Sequence, residues 1–268
     1  AADLQLGIRY LLPVFPFLFV AMASVFAFFE RRWADATARG LRDRRWWLGA
    51  PLLAYALATT VWAFPSYLSY FNRFAGGPAR GAEWLIDSNL DWGQDLYRLP
   101  AAGDALGVER WRLLYFGAVD PARYGIPYEL PPERPELEAY AISTNYWKGM
   151  NYAVLDRATG ELRFLQPRVA WMADLEPTAR LGSILVFDLR DGAPGVDPAV
   201  AAYNRGVARL ARSEPEHARA ELRAALDARP GWAPALLQLA RALEAVGDAG
   251  AARAAYREAL AEAEAAGR

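Results

Sequence analysis

The chain has 268 residues, a net charge of −1 and 54% hydrophobic residues. That near-neutral balance lacks the basic footprint of a nucleic-acid binder. Cysteine is absent and His217 is the one histidine, which removes disulfides, thiolate metal sites and cysteine nucleophiles and leaves little imidazole chemistry.

The averages cover unlike segments. Leu11 to Phe29 and Trp46 to Phe64 are apolar runs without a charged side chain, and each approaches the ~20 residues a helix needs to cross a bilayer core. A buried helix can also be apolar all round, so length and flanks carry the reading. Trp46, Trp47, Trp62, Tyr67 and Tyr70 stand at the ends of the second run, where amphipathic rings favour the headgroup level. Pro13, Pro16 and Pro51 lie near run ends, where freed carbonyls are tolerated. The first run follows Asp3 and Arg9 and precedes no small-residue cleavage site, which argues against a secretory signal. Between the runs, Arg31, Arg32, Arg39, Arg42, Arg44 and Arg45 outnumber Glu30, Asp35 and Asp43, a bias that assigns this loop to the cytoplasm. The expected location is therefore a bacterial-type cytoplasmic membrane, crossed more than once, with residues 67–268 on the extracytoplasmic side. A start in mid-pattern without methionine leads us to expect the C-terminal piece of a longer polypeptide.

Beyond Ser66 the pattern changes to short apolar runs separated by polar turns, which predicts a small α/β sheet. Strands are expected over Trp84–Ile86, Trp111–Phe116, Leu137–Ile142 and Ile184–Leu189, with a helix over Asp91–Leu106 interrupted or ended by Pro100. In such sheets ligands bind beyond the carboxyl ends of the strands. Asp87, Ser88 and Asn89 follow the first expected strand, and Ser143, Thr144 and Asn145 follow the third. With Asp91, Gln94 and Asp95 on the adjoining helix start they form the candidate ligand loop. The competing reading makes Ser88 or Asn89 a helix cap and the acids complements of the helix dipole. Asp87, Asn89, Asp91 and Asp95 also mimic a calcium loop, but Gly93 stands one position late and Arg98 occupies the place of the bidentate glutamate.

Punctuation at Gly192, Pro194, Gly195 and Pro198 precedes a segment rich in Ala, Leu, Arg and Glu. That segment repeats with a period of 34 residues, pairing Gly206 with Ala240, Ala218 with Ala252, Leu222 with Tyr256, Ala225 with Ala259 and Leu226 with Leu260. The spacing resembles the tetratricopeptide repeat, a helical hairpin closed by small residues. Helices are expected over Pro215–Ala228 and Ala233–Val246, with turns at Pro230 and at Gly247-Asp248. Two units fall below the three or so that stand alone, so they are expected to pack on the preceding domain or on a partner. His217 is read as solvated helix surface.

Three stretches together resemble the C-terminal part of family 39 membrane glycosyltransferases, relatives of the protein mannosyltransferases and the aminoarabinose transferase of lipid A. They are Gly7-Ile8-Arg9-Tyr10-Leu11-Leu12-Pro13, then Tyr67-Leu68-Ser69-Tyr70-Phe71-Asn72 with Ala75-Gly76-Gly77-Pro78, and the distinctive Asp87-Ser88-Asn89-Leu90-Asp91-Trp92-Gly93-Gln94-Asp95-Leu96. The resemblance implies transfer of a hexose or pentose from a polyprenyl-phosphate carrier to an extracytoplasmic acceptor. It also implies a catalytic carboxylate in an early outer loop that nothing here matches, so no catalytic residue, cofactor or metal is assigned to the chain. Arg9, with Tyr10 beside it, is the candidate grip on the carrier phosphate, against the simpler reading of an arginine snorkelling to headgroups.

The expected fold is thus multi-domain: two transmembrane α-helices within residues 1–66 with a basic loop at 30–45, a small α/β extracytoplasmic domain at 67–193, and an all-α tetratricopeptide-like tail at 197–268. Expected partners are the lipid bilayer, the lipid-linked sugar and a protein held by the repeat tail, with no nucleic acid. A membrane-anchored scaffold without activity, or a sensor binding sugar or lipid at the Asp87 to Asn89 loop, are the competing functions.

Overall fold

A computed structural model of the chain describes residues 13–34, 44–155 and 162–267. The chain divides into two units, Ala1–Leu85 and Ile86–Arg268.

In the first unit, α1 (Phe15–Ala34) and α2 (Arg44–Ala63) arise from the two apolar runs. Among the described residues no helix is long and apolar enough to cross a membrane, which overturns the expected pair of transmembrane helices and the multi-pass placement built on it. The reason lies in where the helices begin and end. α1 runs on through Glu30-Arg31-Arg32, so its uncharged part from Phe15 to Phe29 covers only about 22 Å at 1.5 Å per residue, short of a ~30 Å hydrocarbon core. α2 starts on Arg44-Arg45 and dilutes its leucines with Gly49, Pro51, Tyr55, Thr59, Thr60 and three tryptophans, Trp46, Trp47 and Trp62. Most of the basic loop, residues 35–43, lies outside the described residues.

The strand expected at Trp84–Ile86 is absent. The chain there forms a short 3₁₀ turn over Pro78–Glu83, and the amides of Trp84 and Leu85 both donate to the Gly81 carbonyl at 3.0 Å. The indole of Trp84 donates to Ala75 O at 2.9 Å. An apolar triplet after Gly76, Gly77 and Gly81 closes a turn more readily than it extends.

The second unit is built on a five-stranded mixed sheet. After α3 (Leu99–Leu106) come β1 (Trp111–Leu114), β2 (Tyr128–Glu129), β3 (Ala139–Ser143) and the short α4 (Thr144–Trp147). A separate hairpin, β4 (Ala153–Leu155) with β5 (Leu162–Phe164), precedes β6 (Ala179–Leu181) and β7 (Ile184–Asp188). The strand order is β2-β1-β3-β7-β6, with β1 parallel to both β2 and β3 while β7 runs antiparallel to β3 and β6. The expected helix over Asp91–Leu106 is shorter than read. Pro100 sits in its first turn, where a missing N–H costs nothing, and the chain before it is turns.

β3 and β7 are buried throughout, since both faces of the sheet are covered. Ala139 and Ala141 of β3, with Ile184 and Val186 of β7, face Leu96, Leu99 and Trp111 on one side. The alternate residues Tyr140, Ile142, Leu185 and Phe187 face Val169 and Met172 on the other, and this second core continues into the tail. There α5 (Pro198–Ala211), α6 (Pro215–Ala228), α7 (Ala233–Ala245) and α8 (Ala249–Ala266) form two hairpins. This all-α tail is consistent in part with the expected fold. Gly206 of α5 lets α6 approach so closely that a Cβ there would lie 2.6 Å from Leu222 Cγ. His217 is exposed on α6.

The tail is tied to the sheet domain by polar contacts as well as by the shared core. The buried Asn204 accepts from the Glu176 amide at 3.0 Å and donates to the Glu176 carbonyl at 2.8 Å, and Tyr203 donates to Asp174 O at 2.6 Å. Asn204→Ala leaves both Glu176 main-chain groups without their partner at a partly buried contact. We expect a loss of about 2 kcal/mol, measured as a lowered urea midpoint of the full chain. A shift below about 0.5 kcal/mol, the level of a neutral surface change, would show that the tail is docked by apolar contact alone.

Candidate functional site

The string from Asp87 to Leu96 makes its sharpest bend at Gly93, whose φ of 77° is left-handed. Only glycine fits, since a Cβ at that position would fall 2.7 Å from the Phe116 carbonyl oxygen. This close pass turns the string inward and drives Asp91 and Asp95 beneath the surface, where both are buried.

Asp91 accepts three hydrogen bonds. The Gly93 amide and the Ser183 hydroxyl donate to Oδ1 at 2.8 and 2.9 Å, and the Ser143 hydroxyl donates to Oδ2. Ser143 ends β3 and caps α4, where its Oγ also accepts from the Asn145 amide at 3.2 Å. Asp95 accepts from the Ser183 amide at 2.8 Å and from Gln94 Nε2 at 3.3 Å, and it pairs with Arg98 at 3.0 Å. The turn between β6 and β7 is shaped around that carboxylate: Gly182, with φ 66°, holds a place where a Cβ would sit 2.2 Å from Asp95 Oδ2. Gln94 braces the bend, accepting from the Trp92 amide at 2.7 Å and donating to Leu90 O at 3.0 Å.

Burial pushes the Asp91 carboxyl above its ordinary value, against the lowering effect of its hydrogen bonds from Ser143, Gly93 and Ser183, and Asp95 adds a further upward push. Asp91, Asp95 and Ser143 therefore join the string to the end of β3 and the turn before β7, while Gln94 ties the string to itself. Among the described residues no group of three or more acidic or histidine side chains is arranged to hold a metal, and the calcium-like spacing fails in space because Asp91 and Asp95 spend their oxygens on protein donors.

The outer half of the string is arranged differently. Asp87 has a φ of 65°, unusual for a residue with a Cβ. Its amide donates to Asn145 Oδ1 at 2.9 Å, and the Tyr152 hydroxyl donates to its Oδ1. Burial, then the hydrogen bond and charge of Asp87, push the Tyr152 phenol up, so it remains a donor. Tyr152 stacks on Phe116 with centroids 4.6 Å apart, and the Trp92 ring stands 6.0 Å from Phe116. The Trp92 indole donates to Ser88 O at 3.0 Å while 56% of the residue stays exposed. The Ser88 hydroxyl and the Asn145 side-chain nitrogen are buried and have no hydrogen-bond partner among the described residues. Asn89 faces back onto its own turn, donating to Ile86 O at 3.2 Å.

The structure places Asp87, Ser88, Asn89, Asp91, Gln94, Asp95, Ser143 and Asn145 near one another and divides them into an inner structural set and an outer rim. Arg9 and Tyr10 lie outside the described residues. Ser183, Tyr152, Trp92 and Phe116 were missed. The polar pair Gly182-Ser183 between two apolar runs was a signal for the first; Tyr152 stands 65 residues from Asp87 in the chain, and nothing local marks it.

Away from this string, a concavity of about 770 Å³ opens between α7 and α8 and the Asp174 to Pro177 segment. Trp147, Leu175, Pro177, Tyr203, Leu237 and Leu260 give it a largely apolar lining.

Because the folded state raises the Asp91 value, Asp91 favours folding most below the unfolded carboxylate value of about 4, and that contribution is lost as pH rises through the raised folded value. Asp91→Asn removes this titration while keeping size and most acceptors. We expect urea midpoints that fall less steeply than those of the parent chain over that window; parallel slopes would show that the burial of Asp91 does not perturb its titration.

Comparison of the chain with protein-family models, with curated proteins and with solved structures finds no match.

Proposed function

We propose that this chain is a non-catalytic portion of a family 39-type sugar transferase, with hexosyl or pentosyl transfer from the polyprenyl-phosphate carrier carried out elsewhere in the protein, and that its helical tail supplies a protein-binding groove. The observation that carries the reading is the commitment of Asp91 and Asp95 to donors of their own domain. The string responsible for the family resemblance thereby has a structural task, and it leaves no carboxylate pair poised over a reacting bond. A general base must reach the proton it abstracts within hydrogen-bond distance, and Asp91, buried under Ser143 and Ser183, meets no acceptor substrate.

The tail contributes a groove with an apolar floor and a rim of Asp174, Glu176 and Arg180. Concave, mostly apolar surfaces with a few charged groups at the edge suit a polypeptide segment. A scaffold that holds a protein partner without belonging to a transferase is the second reading, favoured by the same groove.

Two measurements test the proposal. The purified chain, incubated with polyprenyl-phosphate-linked sugars and candidate acceptors, is expected to transfer no sugar; turnover by this chain alone would overturn the non-catalytic reading. A photo-crosslinking residue at Leu260 in the full chain is expected to trap a protein in the native cells, and Leu237→Arg should reduce that adduct at least tenfold, a loss of about 1.4 kcal/mol. Equal trapping with and without Leu237→Arg would remove the groove from the account.

A further inference from the structure

The outer rim of the Asp87 string carries polar groups that the domain itself does not use. Asn145 is fully buried, its Oδ1 is occupied by the Asp87 amide, and its side-chain nitrogen has no partner among the described residues. The Ser88 hydroxyl is buried and has no partner among those residues either. Asp87 presents a carboxylate whose Oδ1 is oriented by Tyr152, on a backbone held in the left-handed region. Buried donors left unmatched and a strained non-glycine residue both concentrate where a protein keeps a place for a ligand. They are brought together here by a hydrogen bond between residues 58 positions apart, so no local capping pattern accounts for them.

Aromatic rings stand beside these groups. Trp92 is fixed by its indole hydrogen bond to Ser88 O yet leaves more than half of its surface exposed, and Phe116 and Tyr152 continue the aromatic wall. A ligand that satisfies the rim needs two properties at once. It must offer adjacent groups that both donate and accept, to meet a carboxylate, an amide nitrogen and a hydroxyl. It must also offer a flat apolar face of C–H bonds to lie on a ring. Vicinal hydroxyls on a pyranose meet both requirements, whereas a phosphate would be repelled by Asp87 and an aliphatic chain would leave Asn145 and Ser88 unmatched.

We propose that Asp87, Ser88 and Asn145, with Trp92, Phe116 and Tyr152 as the aromatic wall, form a binding site for a neutral pyranose sugar. Asp87 accepts from one ring hydroxyl, and the buried Asn145 nitrogen and Ser88 hydroxyl complete the set after a small adjustment that uncovers both. The inference rests on this rim alone and stands whether or not the tail groove binds a protein.

The experiment is titration of the full chain with methyl glycosides of glucose, galactose, mannose and arabinopyranose, followed by tryptophan fluorescence and by isothermal calorimetry. A parallel arm with short oligosaccharides of the best-bound sugar separates a free monosaccharide from a residue within a glycan. Saturable binding of at least one glycoside is expected, with tryptophan fluorescence changing along the same curve. Asp87→Asn, which keeps an acceptor for Tyr152, should weaken binding at least tenfold, and Trp92→Phe should weaken it less while abolishing most of the fluorescence change. Circular dichroism confirms that each variant is folded, and Asn145→Asp, which exchanges the unmatched donor for an acceptor, is the substitute if Asp87→Asn is not. No saturable binding of any probe, or binding unchanged in folded Asp87→Asn and Trp92→Phe, would overturn the proposal.

Discussion

A carboxylate taken out of water must be met by donors, and in this protein that requirement organises the sheet domain. Asp91 lies at the meeting of three segments that are remote in sequence: its own string, the end of β3 and the turn between β6 and β7. Each supplies one hydrogen bond. Asp95 repeats the connection to the same turn through the Ser183 amide. Leu96 and Leu99, which follow directly, are thereby set against Trp111 and the alanines of β3 to form one of the two faces of the core. Removing the buried acids would leave Ser143, Ser183 and the Gly93 amide unmatched, and the apolar residues behind them would lose their register. Glycine at 93 and 182 is part of the same constraint, since either Cβ would occupy space that backbone or carboxylate already fills.

The opposite face of the sheet is closed by the tail. Two helical hairpins expose one long apolar side that neighbouring repeats would cover in a longer array. Here Tyr140, Phe187, Val169 and Met172 meet Tyr203, Val207 and Leu239 in one continuous core. The Asn204 amide pairs with both main-chain groups of Glu176, which fixes the angle of approach more narrowly than apolar contact does. This docking also creates the groove, because α7 and α8 stand over the segment after Asp174 and leave room between them.

The first unit shows how a hydropathy run and a helix differ. Leu11 to Phe29 reads as a span when residues are counted from one charge to the next, but α1 starts at Phe15 and ends beyond Glu30. Helix limits follow hydrogen bonding and not polarity. The apolar length available along the axis is therefore less than the length of the run.

Much of the second unit was legible locally. The period of 34 residues, with turns at Pro230 and at Gly247-Asp248, marks α6 and α7 within a residue of where they lie, because helix starts and stops are encoded by neighbouring residues. β1, β3 and β7 stand out as apolar runs for the same reason. The polar loops at 87–89 and 143–145 meet through the Asp87 amide, which donates to Asn145 Oδ1 just beyond the end of β3. Tertiary structure alone decided the rest: that β7 enters antiparallel and brings Ser183 to Asp91, that Asp91 and Asp95 are buried, and that Tyr152 and Phe116 complete the rim. Those outcomes depend on contacts between residues tens of positions apart, and a short window of sequence carries no energy term that distinguishes an acid facing water from one enclosed by serines of another strand.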